Sequence, residues 1–379
     1  MPSSVCQLAA IFLCACGTLA IPVAIGAAES QPRATPPTVK TIKFRANGMS
    51  SDTVAHALVA AAKIHNRTAD YAELASRSGN AWAPAINATE DCTSHMAVEG
   101  FVSDRELPTL AAAIGLNAEK IALPAFTGNW GEDAVALEYR KKIAPLLTPH
   151  LAKGETLLTV GGWQPQGKAF THWAWAGFIN EVRDDGTILG THLNGRNDAV
   201  IYVPDTTWAL SAGKITLTPF QADRSMLVAA RDRILGQGNY KATDRHVFGL
   251  AAMDAWIKHM RTTQGFCQPC EKRSQNGWHD ARNNTARSYE LSTTLVAYLK
   301  KRLPDWPADS RPAAQSIVAH YEKIQSLLAP TAKGEDLKLI CTNLEKQNKY
   351  ADDVLLPMKR ELEGVATDLQ KLLAAWPAP

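Results

Sequence analysis

His172 and Asn194, 22 residues apart, bracket most of the stretch THWAWAGFINEVRDDGTILGTHLNG. Its bulky residues, Trp173, Trp175, Phe178 and Ile179 against Ile188 and Leu193, flank Asp184-Asp185-Gly186. That composition predicts two strands joined by a tight turn, with glycine supplying the positive φ that a short hairpin needs. A hairpin over 171–195 carries His172 early on one strand and Asn194 late on the next. The arrangement suits an imidazole oriented by an amide, which is how a general base is held in one tautomer. From the hairpin alone, polar strand ends are the favoured reading of the same two residues.

Other chemistry-bearing residues fit their motifs less well. Residues 162–169, GWQPQGKA, have the glycine and lysine spacing of a phosphate loop. Ala169 stands where a magnesium-binding hydroxyl is needed, Pro165 removes a backbone donor, and the residues that follow read as strand rather than helix, so nucleotide binding is not expected. Seven cysteines are present: Cys6, Cys14 and Cys16 near the N-terminus, then Cys92, Cys267, Cys270 and Cys341. Cys267 and Cys270 lack both a preceding thioredoxin-like pattern and a second ligand pair for zinc, which makes structural disulfides the expectation for the last four. No cofactor or metal is expected.

The elements that must position these residues follow an α+β plan. Ser50-Ser51-Asp52 precedes Val54, Leu58, Ala61 and Ala62 at helical spacing, which predicts a capped, buried first helix. Further helices are expected over 105–116 and over 132–151, the latter with a kink at Pro145, and then a strand at ETLLTVGG, the hairpin, and a strand pair at AVIYV and GKITLTPF. Beyond residue 244 the 3.6-residue periodicity dominates to Trp376. The organisation is therefore a leader over 1–28, a Pro-rich linker over 29–40, an α+β domain with an antiparallel sheet over 41–243, and an all-helical region over 244–379.

The leader is apolar from Leu8 to Ala28 and has small residues at Gly26 and Ala28, the pattern of a secretory signal. It predicts a secreted or periplasmic protein with no stable membrane insertion after cleavage. An uncleaved anchor, or lipidation at the Cys14-Ala15-Cys16 segment, is the less favoured alternative. The net charge is only +3, from 40 basic and 37 acidic residues, so no polyanionic partner such as nucleic acid is implied. The expected partner is a small molecule or a peptide, and Trp163, Trp173, Trp175 and Trp208 are candidates to line its pocket, with packing in the core as the commoner role of such residues.

Several stretches taken in order, TADYAELASRSGNAW, the Cys92-Thr-Ser segment before LPTLAAAIGL, the histidine-bearing hairpin, HVFGLAAMDAWIKHM and ARSYELSTTLVAYLKKRLPDW, resemble the papain-like proteins grouped with the N-terminal region of butirosin biosynthesis protein H. These are themselves similar to bacteriocin-leader peptidases. The resemblance spans residues 45–330 and implies a papain-like fold, a bacterial source, His172 as general base and Asn194 as its orienting partner. Members commonly carry a cysteine at the start of the first helix, where the dipole favours a thiolate. Here that position reads GMSSDT, which leaves Ser51, or Cys92 farther along, as candidate nucleophiles. A serine hydroxyl is far harder to deprotonate than a thiol. The expectation is therefore an exported, noncatalytic papain-like protein that binds a ligand, with a cysteine- or serine-dependent hydrolase or acyltransferase of amides or thioesters as the alternative.

Overall fold

Asp52 opens the first helix by accepting the Ala55 N–H at 3.0 Å, and Val54, Leu58, Ala61 and Ala62 bury one face of α1 (Thr53–Ile64). The computed structural model describes residues 52–87, 106–128, 133–164, 171–192, 196–243, 246–262, 278–333 and 343–377. The leader, the linker and all seven cysteines lie outside them. Asp70 caps α2 (Tyr71–Arg77), and a short strand β1 (Ala85–Asn87) follows. Next come α3 (Glu106–Ala113), β2 (Leu116–Ile121) and α4 (Asp133–Ala152). Pro145 and Pro149 sit on the exposed side of α4, and the helix runs through both.

Strands β3 (Thr156–Gln164), β4 (Thr171–Val182), β5 (Ile188–His192) and β6 (Arg196–Ala212) pair antiparallel. The order is β2-β6-β3-β4-β5, and β5 also pairs with β6, so four of the five strands close into a ring. Closure relieves those four strands of the free edges that an open sheet must protect, and leaves β2 as the edge strand. The 17-residue β6 reaches three partners by changing register opposite Val160/Gly161 and Gly162/Trp163. Pro204, which cannot donate to a ladder, faces Gly161 at the first of these irregularities, where such a residue is tolerated. The expected hairpin is present: Val182 faces Ile188, and Gly186 turns the chain at φ 84°.

The expected strand at GKITLTPF is not. Thr218 caps α5 (Pro219–Leu235), with reciprocal Thr218–Gln221 hydrogen bonds and Pro219 in the first turn. Proline lacks the N–H that a helix start leaves unpaired anyway, so this stretch begins a helix. Beyond it lie β7 (His246–Phe248), α6 (Gly249–Thr262), α7 (Trp278–Arg302), α8 (Arg311–Lys333), α9 (Leu344–Tyr350) and α10 (Leu356–Ala375). A π turn, Ala351–Leu355, joins the last two immediately before Pro357, which cannot make the ordinary helical hydrogen bond.

Pro37–Pro379 is one compact unit, whose described residues form two large apolar cores and a small third cluster of Ala85, Ala229, Tyr240 and Phe248. The sheet and α1–α4 enclose the first, around Leu58, Leu110, Ile143, Leu158 and Phe178. Helices α5–α8 and α10 enclose the second, around Trp256, Leu295, Trp306 and Leu362, and this core also takes in Trp82, ahead of β1, and Ile86 of β1 itself. β1 pairs with β7, and the Tyr321 hydroxyl donates to the Trp82 carbonyl. The fold is thus α+β with an antiparallel sheet and a helical C-terminal region.

Candidate functional site

The start of α1 meets strand β4. The Ala176 N–H donates to Thr53 Oγ1 at 3.2 Å, so the first residue of the helix is tied to the strand that holds His172 four positions earlier. Thr53 is 1% exposed. Behind it, the Asp52 carboxylate accepts from Asn80 Nδ2 and from the Ser78 hydroxyl, each at 2.8 Å, as well as from Ala55. The Asp52 N–H donates to the Tyr71 hydroxyl oxygen at 3.0 Å, and the Tyr71 ring stacks on His56 with centroids 4.0 Å apart.

The electrostatics follow from burial. Desolvation raises the Asp52 carboxyl above its ordinary range, and the hydrogen bonds from Ala55, Asn80 and Ser78 oppose that rise without cancelling it. Burial together with the nearby Asp52 charge pushes the Tyr71 phenol upward. His56 is lowered to about 4 by burial, so this imidazole is neutral at pH 7. The helix start is therefore a closed, hydrogen-bonded junction built around a buried acid. Ser78 and Asn80, missed in the sequence reading, belong to it. Their only sequence signal is a polar SRSGN turn, which looks like an ordinary surface loop.

The expected site residues are placed as follows. His172 lies on β4 and is described by its backbone alone. It is five residues upstream of Gly177, which pairs with His192 on β5. Asn194 is two residues beyond His192 and lies outside the described residues, as do Ser51 and Cys92. The phosphate-loop-like stretch begins inside β3, with Gly162 opposite Ala174. Of the four tryptophans proposed to line a pocket, Trp208 is 3% exposed and packs in the first core, and the side chains of the other three lie outside the described residues. Among the described residues, no three histidine, cysteine, aspartate or glutamate side chains cluster as a metal site, and no helix is long and apolar enough to cross a membrane.

No known family model matches the chain, and no curated protein matches it significantly.

Proposed function

We propose that this is an exported, papain-like protein that binds a small molecule or peptide rather than cleaving one, the start of its first helix serving as scaffold. The observation that carries the reading is the closure of that start. A nucleophile must present its oxygen or sulfur about 3–3.5 Å from a reacting carbonyl. Thr53 Oγ1, the hydroxyl on the first helical residue, instead accepts a strand amide inside the core, and the Asp52 side chain is engaged by Ala55, Ser78 and Asn80. The apolar leader supports export.

The test uses the chain without residues 1–28, incubated with an N-acetylcysteamine thioester and an anilide and, separately, with iodoacetamide and fluorophosphonate probes. The expected result is no turnover above buffer and no active-site labelling, with His172→Ala, Ser51→Ala and Cys92→Ala all behaving as the parent. Turnover abolished by His172→Ala together with either nucleophile variant would overturn it. One observation favours this second reading, a cysteine- or serine-dependent hydrolase or acyltransferase: a helix start lies directly against the strand that carries His172. His172 would then be the base, Asn194 its orienting partner, and Ser51 or Cys92 the nucleophile.

A further inference from the structure

Helices α2, α3 and α5 and the turn Gly238–Tyr240 surround a cleft of about 110 Å³ that none of the residues of α1 or β4 lines. Its walls mix apolar side chains, Leu110 and Ala113 on α3 and Met226 on α5, with polar ones, Thr109, Ser225 and Asn239. Set among them are one cation, Arg77, and two acids, Asp232 and Glu106. Arg77 directs Nε to the Tyr298 hydroxyl at 3.1 Å and Nη2 to Asp223 and Glu73 at 3.2 and 3.0 Å. Its Nη1 has no hydrogen-bond partner among the described residues. Asp232 accepts both Arg231 contacts, at 2.9 and 2.6 Å, on Oδ1, and its Oδ2 likewise has no partner among the described residues. Glu106 also lines the cleft, but it has partners of its own.

Arg77 and Asp232 line one small cleft, each with a terminal atom that has no partner among the described residues, and they are a matched pair for a ligand that carries both charges. A ligand with a single charge leaves one of them unanswered, and a buried or half-buried polar group without a partner costs affinity. Size narrows the class. A dry cavity of about 150 Å³ holds benzene, so about 110 Å³ holds four or five non-hydrogen atoms, with the remainder at the mouth. We propose that this cleft binds a small zwitterion with a short apolar body, an α-amino acid, its carboxylate on Arg77 and its ammonium on Asp232.

Isothermal titration of the chain without residues 1–28 tests this with glycine, L-alanine, L-valine and L-leucine, and with isovalerate and isobutylamine as valine lacking one charge or the other. At least one amino acid is expected to saturate with a Kd of ~1 mM or tighter, and both single-charge analogues to bind about tenfold more weakly or worse. Asp232→Asn removes the ammonium's partner and is expected to cost roughly tenfold. Ala113→Phe fills the cleft from α3 and is expected to abolish binding while leaving the circular dichroism spectrum unchanged. No saturation by any of the four amino acids up to roughly 20 mM overturns the assignment. So does an analogue that matches valine, or a folded Ala113→Phe variant that binds like the parent. Catalytic turnover in the assay above would not touch this result, because the two sites share no lining residue.

Discussion

Asp223 is fully buried, at 0% exposure, on α5. Its carboxylate accepts from Arg77 Nη2 at 3.2 Å, Tyr298 Oη at 2.7 Å, Arg302 Nε at 2.9 Å and Trp306 Nε1 at 2.9 Å. These donors come from α2, from two positions on α7 and from the turn after it, so one acid joins elements of both cores. Removing one partner of a buried ion pair costs about 3–5 kcal/mol, and each buried donor left unmet adds about 1–3 kcal/mol. The losses are not additive. Arg302 is 19% exposed and already reaches Asp305 at 2.5 Å, and Arg77 keeps Glu73, so both cations retain a neighbour. Tyr298 and Trp306 lose the acceptor outright. Asp223→Ala is therefore expected to cost about 4–6 kcal/mol, a large part of a typical domain's stability. Asp223→Asn keeps the shape and one acceptor oxygen but turns an amide N–H₂ toward donors, for an intermediate cost of about 2–4 kcal/mol. Urea unfolding followed by tryptophan fluorescence and far-ultraviolet dichroism measures both. If the acid couples the two cores, the two probes coincide for the parent and separate for Asp223→Ala. A cost below about 1.5 kcal/mol for alanine, or a neutral asparagine, would show that these hydrogen bonds contribute no more than exposed ones.

Two further outcomes are expected. A Cβ on Gly364 of α10 would lie 2.4 Å from His320 Cε1 on α8, and that ring is held by Glu361 at 2.7 Å and Asp368 at 3.5 Å, so Gly364→Ala is expected to destabilise by about 1–2 kcal/mol. In a His320→Ala background the same change is expected to stabilise by about 0.5–1 kcal/mol through helix propensity, and equal signs in the two backgrounds, read by thermal unfolding, would refute the packing argument. For His56, lowered from 6.5 to about 4 by burial, the unfolded chain takes up a proton that the folded chain refuses, so stability is full above pH 6.5 and falls as the pH drops toward 4. Partial exposure screens this to about 1–2 kcal/mol. The Asp52 carboxyl, raised by burial, works in the opposite sense, adding stability as it protonates, and it cancels when the parent is compared with His56→Gln. Parallel stability curves for the two proteins between pH 4 and 7 would refute the assignment.

What was legible in the sequence was local. Asp52 as a cap followed by apolar residues at helical spacing, and Asp-Asp-Gly between bulky residues, are signals contained within a dozen positions, and both elements are present. The strand β2 gave no such signal. Its sequence LNAEKI buries only its two ends, because it is an edge strand bonded to β6 alone. The misread GKITLTPF alternates like a strand, yet Thr218-Pro219 and Gln221 form a capping box that outweighs it. The Asp223 and Asp52 networks could not be read at all. The acid meets Arg77 146 residues away and Arg302 79 residues away, and Asp52 reaches Asn80 across 28, so each looks in sequence like a solvated helix charge.

Strand β1 and Trp82 carry a consequence for how the chain is made. Both belong with partners synthesised much later: β1 with β7, about 160 residues on, and Trp82 with Tyr321, 239 residues on. During synthesis from the N-terminus, the sheet and its helices are complete while this segment still lacks its docking surface. Long-range contacts of this kind form late, because the intervening loop must close first. A nascent chain that has passed β6 but not β7 therefore displays an unpaired strand edge, and until α8 is made it also displays an indole, the features that draw chaperones and invite aggregation. Folding competence arrives only with the second half, and premature termination before Tyr321 yields a product for degradation rather than a smaller working domain.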